Sequence, residues 1–263
     1  ILGFVSLLLI FFTNDKNKVK HMMKTKAQDL LHSYATQLDQ FFAVHQDANT
    51  ALSDWLASHF SNTQMIELLE AILKDTSSLK QICQRSYQHG NGFLKVVLLD
   101  RGYKLRLHIW FAGQSCEENI HDHRWSFSSL ILAGSLKSEI WKDHAEGQVF
   151  QEYEYHAATA ERSALKTEMG CQPLQLDHVQ LNTVGDHYVM PKGKLHRIIN
   201  PGHQLVATMM CSAPTEQGTT RLIPMHAGID PNIQPPKANK DQLAGALLQF
   251  LQHLKAQEFD YAA

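Results

Sequence analysis

Two stretches of the chain concentrate side chains that bind metals. ENIHDHRWSF (118–127) sets His121 and His123 one residue apart. At that spacing both imidazoles share a face wherever the backbone is extended. GDHYVMPKGKLHRIIN (185–200) carries His196 just after Pro191 and Gly193. Proline presets φ and glycine accepts the left-handed region, so this pair predicts a sharp turn that delivers His196. Neutral imidazoles suit divalent transition metals. The competing reading is ordinary histidines on half-buried strands. With 16 histidines in 263 residues, chance pairs are common, and neither stretch decides alone.

The scaffold comes next. Apolar residues make up 44% of the chain and charged residues 19%, enough for a substantial core. The net charge of −2 and the lack of a basic stripe exclude the usual nucleic-acid binder. Cys83, Cys116, Cys171 and Cys211 are scattered with no CxxC pair, which points to a reduced, cytoplasmic protein. ILGFVSLLLIFF at the start is a 12-residue apolar run, short of the roughly 20 residues that span a bilayer. Residues 1–21 read as a leader outside the mature protein, translation starting near Met22, with a truncated membrane anchor as the alternative; no membrane contact is expected for the barrel.

Residues 22–90 read as a helical region. Leu30, Leu31, Tyr34, Leu38, Phe41 and Phe42, and then Met65, Ile66, Leu68, Leu69, Ile72 and Leu73, recur at helical spacing. Thr50 and Thr63 are the expected N-caps, and Ser78 with Gln81 has capping-box spacing. Over 91–221 the period changes to two, as in a barrel or sandwich. FLKVVLLD (93–100) is a strand, and YKLRLHIWF (103–111) puts Tyr103, Leu105, Leu107, Ile109 and Phe111 on one face and Lys104, Arg106, His108 and Trp110 on the other. Further strands are expected near 129–143, 147–156, 174–181, 186–190 and 204–212, with a polar excursion over 157–170. A proline-rich linker begins at 222, and the chain ends in a helix with Leu243, Leu247, Leu248, Leu251 and Leu254 on one stripe.

The 185–200 segment matches the second cupin motif, G-x5-P-x-G-x2-H-x3-N, at Gly185, Pro191, Gly193, His196 and Asn200, and His121, His123 and Gly134 resemble the first. The chain is therefore similar to the cupin superfamily, which implies a mainly β fold: an RmlC-like jelly-roll barrel, here preceded by helices and followed by one. The resemblance implies that His121, His123 and His196 bind a metal. Over residues 25–215, LRLHIWFAGQSCEENIHDHRWSFSSLILAGSLKSEIW and LHRIIN resemble the cysteine dioxygenases and related thiol dioxygenases, whose iron(II) is held by three histidines.

That likeness implies a non-haem Fe(II) dioxygenase taking a small thiol or related anion and O2. Lys95 occupies the place of the family's substrate-carboxylate residue, and it is the one charge within FLKVVLL. Trp125 and Phe127 are candidates to wall the substrate pocket, and Trp110 reads as packing. Two departures stand out. Phe127 and Ser128 replace the glutamate usual in cupins. With two residues deleted, the family's serine–histidine–tyrosine relay aligns with Ala207, Met209 and Cys211, so it is missing, and Ser128 and Cys211 cannot form the family's cysteine–tyrosine crosslink. Tyr153, Tyr155 and Tyr188 are the tyrosines left to supply a hydroxyl, with Tyr188 and Tyr155 the catalytic candidates. Arg101, Arg106 and Arg197 remain alternative carboxylate partners, while Arg124 alternates away from the ligand face. Beside the thiol dioxygenase stand a different three-histidine oxygenase and a non-enzymatic cupin that binds a metal or small molecule.

Overall fold

The structure, a computed structural model, describes residues 24–156, 165–216, 218–225 and 237–262. The leader at 1–21, part of the polar excursion and most of the proline-rich linker lie outside them. Four helices come first: α1 (Lys26–Val44), α2 (Thr50–His59), α3 (Asn62–Lys74) and α4 (Thr76–Arg85). Their caps differ from those expected at Thr50, Thr63 and Ser78. Thr25 and Ser61 form capping boxes with Gln28 and Gln64, and the side chains of Asn49 and Asp75 accept from Leu52 N–H and Ser77 N–H. Threonine lost at two sites to a neighbour whose side-chain oxygen already reached the first-turn donors.

Twelve strands follow: β1 (Tyr87–Gln88), β2 (Leu94–Asp100), β3 (Lys104–Trp110), β4 (Cys116–Glu117), β5 (Ile120–His121), β6 (Phe127–Ala133), β7 (Ser135–His156), β8 (Leu165–Thr183), β9 (His187–Met190), β10 (His196–Asn200), β11 (Val206–Ser212) and β12 (Thr220–Ile223), before α5 (Lys240–Ala262). They make two antiparallel six-stranded sheets, ordered β1-β2-β3-β11-β6-β9 and β4-β10-β5-β12-β7-β8. The arrangement is a double-stranded β-helix, or jelly roll. β7 is a single strand broken from β6 by Gly134, where two separate runs were expected. Residues 165–170, expected to be excursion, pair with Glu152–His156 in a long β7–β8 hairpin.

The first sheet is buried on both faces, and this decides what β3 does. Leu105, Leu107 and Ile109 do not fill the barrel. With Leu94, Val96, Ala207, Met209 and Cys211 they pack against the helices in one core that includes Leu68, Ile72 and Phe250. Each of the Leu, Ile, Val, Met and Phe side chains among them contributes about 1.5–3 kcal/mol by burial. The polar face of β3 therefore turns into the barrel. In α5 the expected stripe shifts: Leu248 is 47% exposed while Phe250 is fully buried.

Candidate metal centre

Three backbone devices bring the histidines together. β10 pairs with β5 so that His196 lies opposite His121, and His196 also faces Ile140 on β7. The turn before β10 is built as its residues imply: Gly193 has φ +72°, and Lys194 N–H donates to Pro191 O at 3.3 Å. The turn is tied to the first motif, because Gly193 N–H donates to His123 O (3.1 Å) and Lys192 N–H to Ser126 Oγ (2.8 Å). β5 ends at His121, so His123 sits on an irregular segment and not on the continuous strand the alternation implied. Its ring nevertheless reaches the same place. Ring centroids lie 4.9 Å apart for His121 and His123, 4.7 Å for His121 and His196, and 5.1 Å for His123 and His196. One ligand nitrogen from each ring lies within 4.8 Å of the others, a cluster able to hold a metal ion.

Two of the tautomers follow from the partners. His121 Nδ1 lies 2.9 Å from Asn119 O, and His196 Nδ1 lies 2.9 Å from Lys194 O. A carbonyl only accepts, so each Nδ1 carries the proton and each Nε2 lone pair is free. Such bonds fix the ring orientation of metal-bound histidines. Burial, reinforced by His121, holds the imidazole of His123 well below the ordinary histidine range and takes His196 down to about 3. Both are therefore neutral at physiological pH, the form that binds metal.

The cluster opens on a cavity of about 120 Å³, far smaller than a drug-sized site. Lys95, Trp125, Phe127 and Tyr188 all line it. Trp125 stacks on His123 with centroids 5.2 Å apart, and Phe127 lies 5.5 Å from His123 and 6.0 Å from His196. Burial pushes the Tyr188 hydroxyl up to about 12 and pulls the Lys95 ammonium down to about 7. Tyr155 is not in the lining; it is spent on the hairpin, opposite Thr220 and Lys166. Tyr153 likewise sits on the hairpin under Lys166. Of the candidate arginines only Arg106 reaches the cavity. Arg197 pairs with Glu139 (2.6 Å), Arg101 with Asp39 (3.2 Å), and Arg124 donates to Gly218 O (3.1 Å).

The structure also corrects the relay positions. Ala207, Met209 and Cys211 face the helices, so on β11 the cavity sees Thr208 and Met210 instead. Ser128 lies opposite Cys211 and donates to Asn49 O at the start of α2, leaving Phe127 as the residue that faces the histidines. His89, His108 and Glu118 were missed, although all three line the cavity. The signal for His108 was present in the polar face of YKLRLHIWF, in a strand now seen to be buried on both sides.

No family model matches the chain, and no curated protein does. Among solved structures it is similar to the cupin domain of Schizosaccharomyces pombe Cnp3 (12% identity, TM-score 0.29), over 47% of this chain and 65% of that one. It is similar to an RmlC-like cupin from Shewanella frigidimarina (13%, TM-score 0.32), over 51% of this chain and 86% of that one. It is also similar to hydroquinone 1,2-dioxygenase PnpCD, crystallised with Cd2+ and 4-hydroxybenzonitrile (14%, TM-score 0.28), over 51% of this chain and 70% of that one. The chain itself, by its strand order and its histidine cluster, has a cupin fold with a three-histidine group at the mouth of a small cavity.

Proposed function

We propose that the chain is a metal-dependent dioxygenase that oxidises a small anionic substrate, a thiol foremost, with O2. The observation that carries this is the donor set: three imidazoles around one point, two of them locked with Nε2 free, and Phe127 where a carboxylate ligand would stand. Neutral nitrogen donors fit iron(II) and leave its charge to be balanced by a ligand such as a thiolate. His121, His123 and His196 would hold iron(II), which would supply the redox chemistry when bound.

The chain's own groups do the rest. Lys95 offers a charge to a substrate anion. Trp125, Phe127 and Met210 give the cavity apolar walls that exclude water, which strengthens each electrostatic contact inside. Tyr188, with its proton held tightly, serves as a hydrogen-bond donor and not as a base. Reconstitution with ferrous iron under nitrogen, followed by thiols and oxygen, should give oxygen uptake and products heavier by two oxygen atoms. His196→Ala should lose both metal and activity, by at least about 100-fold. Unchanged thiols in the presence of bound iron overturn the thiol reading. A second reading, a non-thiol oxygenase, is favoured by Thr208 and Met210 in place of a histidine–tyrosine relay; catechols and diketones in the same assay distinguish it. Negligible metal after purification would favour a non-enzymatic binding cupin.

A further inference from the structure

The cavity holds a second cation besides Lys95. Arg106 is 8% exposed and lines the same space. In the β2–β3 register Lys95 lies opposite His108 and Val97 lies opposite Arg106, so Lys95 and Arg106 are diagonal neighbours on one face. Neither has an acidic partner among the described residues. The one hydrogen bond of Arg106 there is Nη1 to the Met210 sulfur at 3.9 Å, and its guanidinium sits 5.7 Å from the Trp125 ring. Lys95 Nζ rests 5.3 Å from the Tyr87 ring and 5.6 Å from Phe93. The single carboxylate in the lining, Glu118, sets one negative charge near Lys95, but its oxygens accept from Asn91 Nδ2 at 2.7 Å and Ile198 N–H at 3.2 Å and bond neither cation. His108 adds a buried Nε2 with no hydrogen-bond partner. Two like charges side by side, Arg106 buried and Lys95 half-buried, each resting on aromatic rings and outnumbering the one carboxylate of the lining, are costly unless something anionic completes them.

We propose that Lys95 and Arg106 form a two-cation subsite, and that the natural ligand is a small dicarboxylate, one carboxylate for each cation, with any thiol directed to the histidines. A cavity of about 120 Å³ is on the scale of a short-chain diacid and smaller than the roughly 300–1,000 Å³ of larger ligand sites. This deepens the reading of the cavity as a substrate site, and rests on it, but the subsite can be tested without oxygen chemistry.

The probe is succinate, with acetate as the one-carboxylate control, titrated calorimetrically into the full chain after dialysis against a chelator, so that no metal competes for carboxylate. Succinate is expected to bind at least tenfold more tightly than acetate. Lys95→Met and Arg106→Met should each weaken succinate at least tenfold and bring it close to acetate. Succinate no tighter than acetate on the folded parent chain overturns the proposal, as does succinate binding that both variants leave within twofold. If Arg106→Met fails to fold by circular dichroism, Arg106→Gln and Lys95→Met carry the same comparison. Oxygen uptake then separates the two readings. Mercaptosuccinate oxidised faster than 3-mercaptopropionate agrees with both. Succinate binding with no thiol oxidised leaves the subsite standing and removes only the thiol reaction.

Discussion

At the scale of single residues, the molecule spends stability on its cavity. Lys95 would be ordinary on a rim, yet it is half-buried beside Arg106, and desolvation pulls its ammonium from 10.5 to about 7. Well above pH 10.5 the side chain is neutral whether the chain is folded or not. As pH falls through that value the unfolded chain takes up a proton that the folded chain refuses, so stability drops until about pH 7, below which the loss is complete. Lys95→Met should therefore melt higher than the parent at neutral pH, by about 1–3 kcal/mol given the partial exposure of the side chain, with the gain fading towards pH 10. Calorimetry in a buffer free of diacids checks this. A gain that is the same at both pH values would mean that the ammonium is not desolvated.

At the scale of elements, the site depends on turns more than on strands. β5 contributes two residues and His123 none of its regular geometry, so the approach of the histidines is set by the register of β5 against β10 and by the Pro191–Lys194 turn. Two glycines there face different demands. Gly193 has φ +72° and open space around it, so Gly193→Ala meets only the left-handed backbone penalty, about 1 kcal/mol. Gly134 has φ +68° and sits between β6 and β7, where a Cβ would collide with the Leu205 carbonyl. Gly134→Ala should cost about 3 kcal/mol or more, because the backbone and the contact must both yield. Urea melts of the two variants give the comparison, and equal losses would contradict it. Element boundaries were the least legible feature of the sequence. Thr50 and Thr63 each sit close to a residue equally suited to cap, Asn49 and Ser61, and local chemistry alone does not choose between neighbours.

At the scale of the whole molecule, helices and barrel are joined through one core and are expected to unfold together. The helix-facing side of the β2–β3–β11–β6 region, α1–α4 and α5 share a single apolar core. Phe250 of α5 is fully buried in it. Phe250→Ala should cost about 3–5 kcal/mol and lower the helical circular dichroism and the tryptophan fluorescence transitions together. Separate transitions would show that the helices and the barrel fold independently. Among the described residues, no helix is long and apolar enough to cross a membrane.

The sequence by itself determined the three histidines and the barrel. His-x-His spacing, a Pro-x-Gly turn and period-two alternation are imposed by neighbours a few residues away, so they are written locally, and the motif match joined His196 to His121 and His123. Only the tertiary structure decided which face of each strand meets the cavity. The sheet is buried on both sides, by helices on one and by the barrel on the other, and alternation in a strand states that two faces differ without stating which one points inward. For that reason Leu105, Leu107 and Ile109 proved to be helix contacts, Thr208 and Met210 replaced Ala207 and Met209 at the cavity, and Arg106 became its second cation.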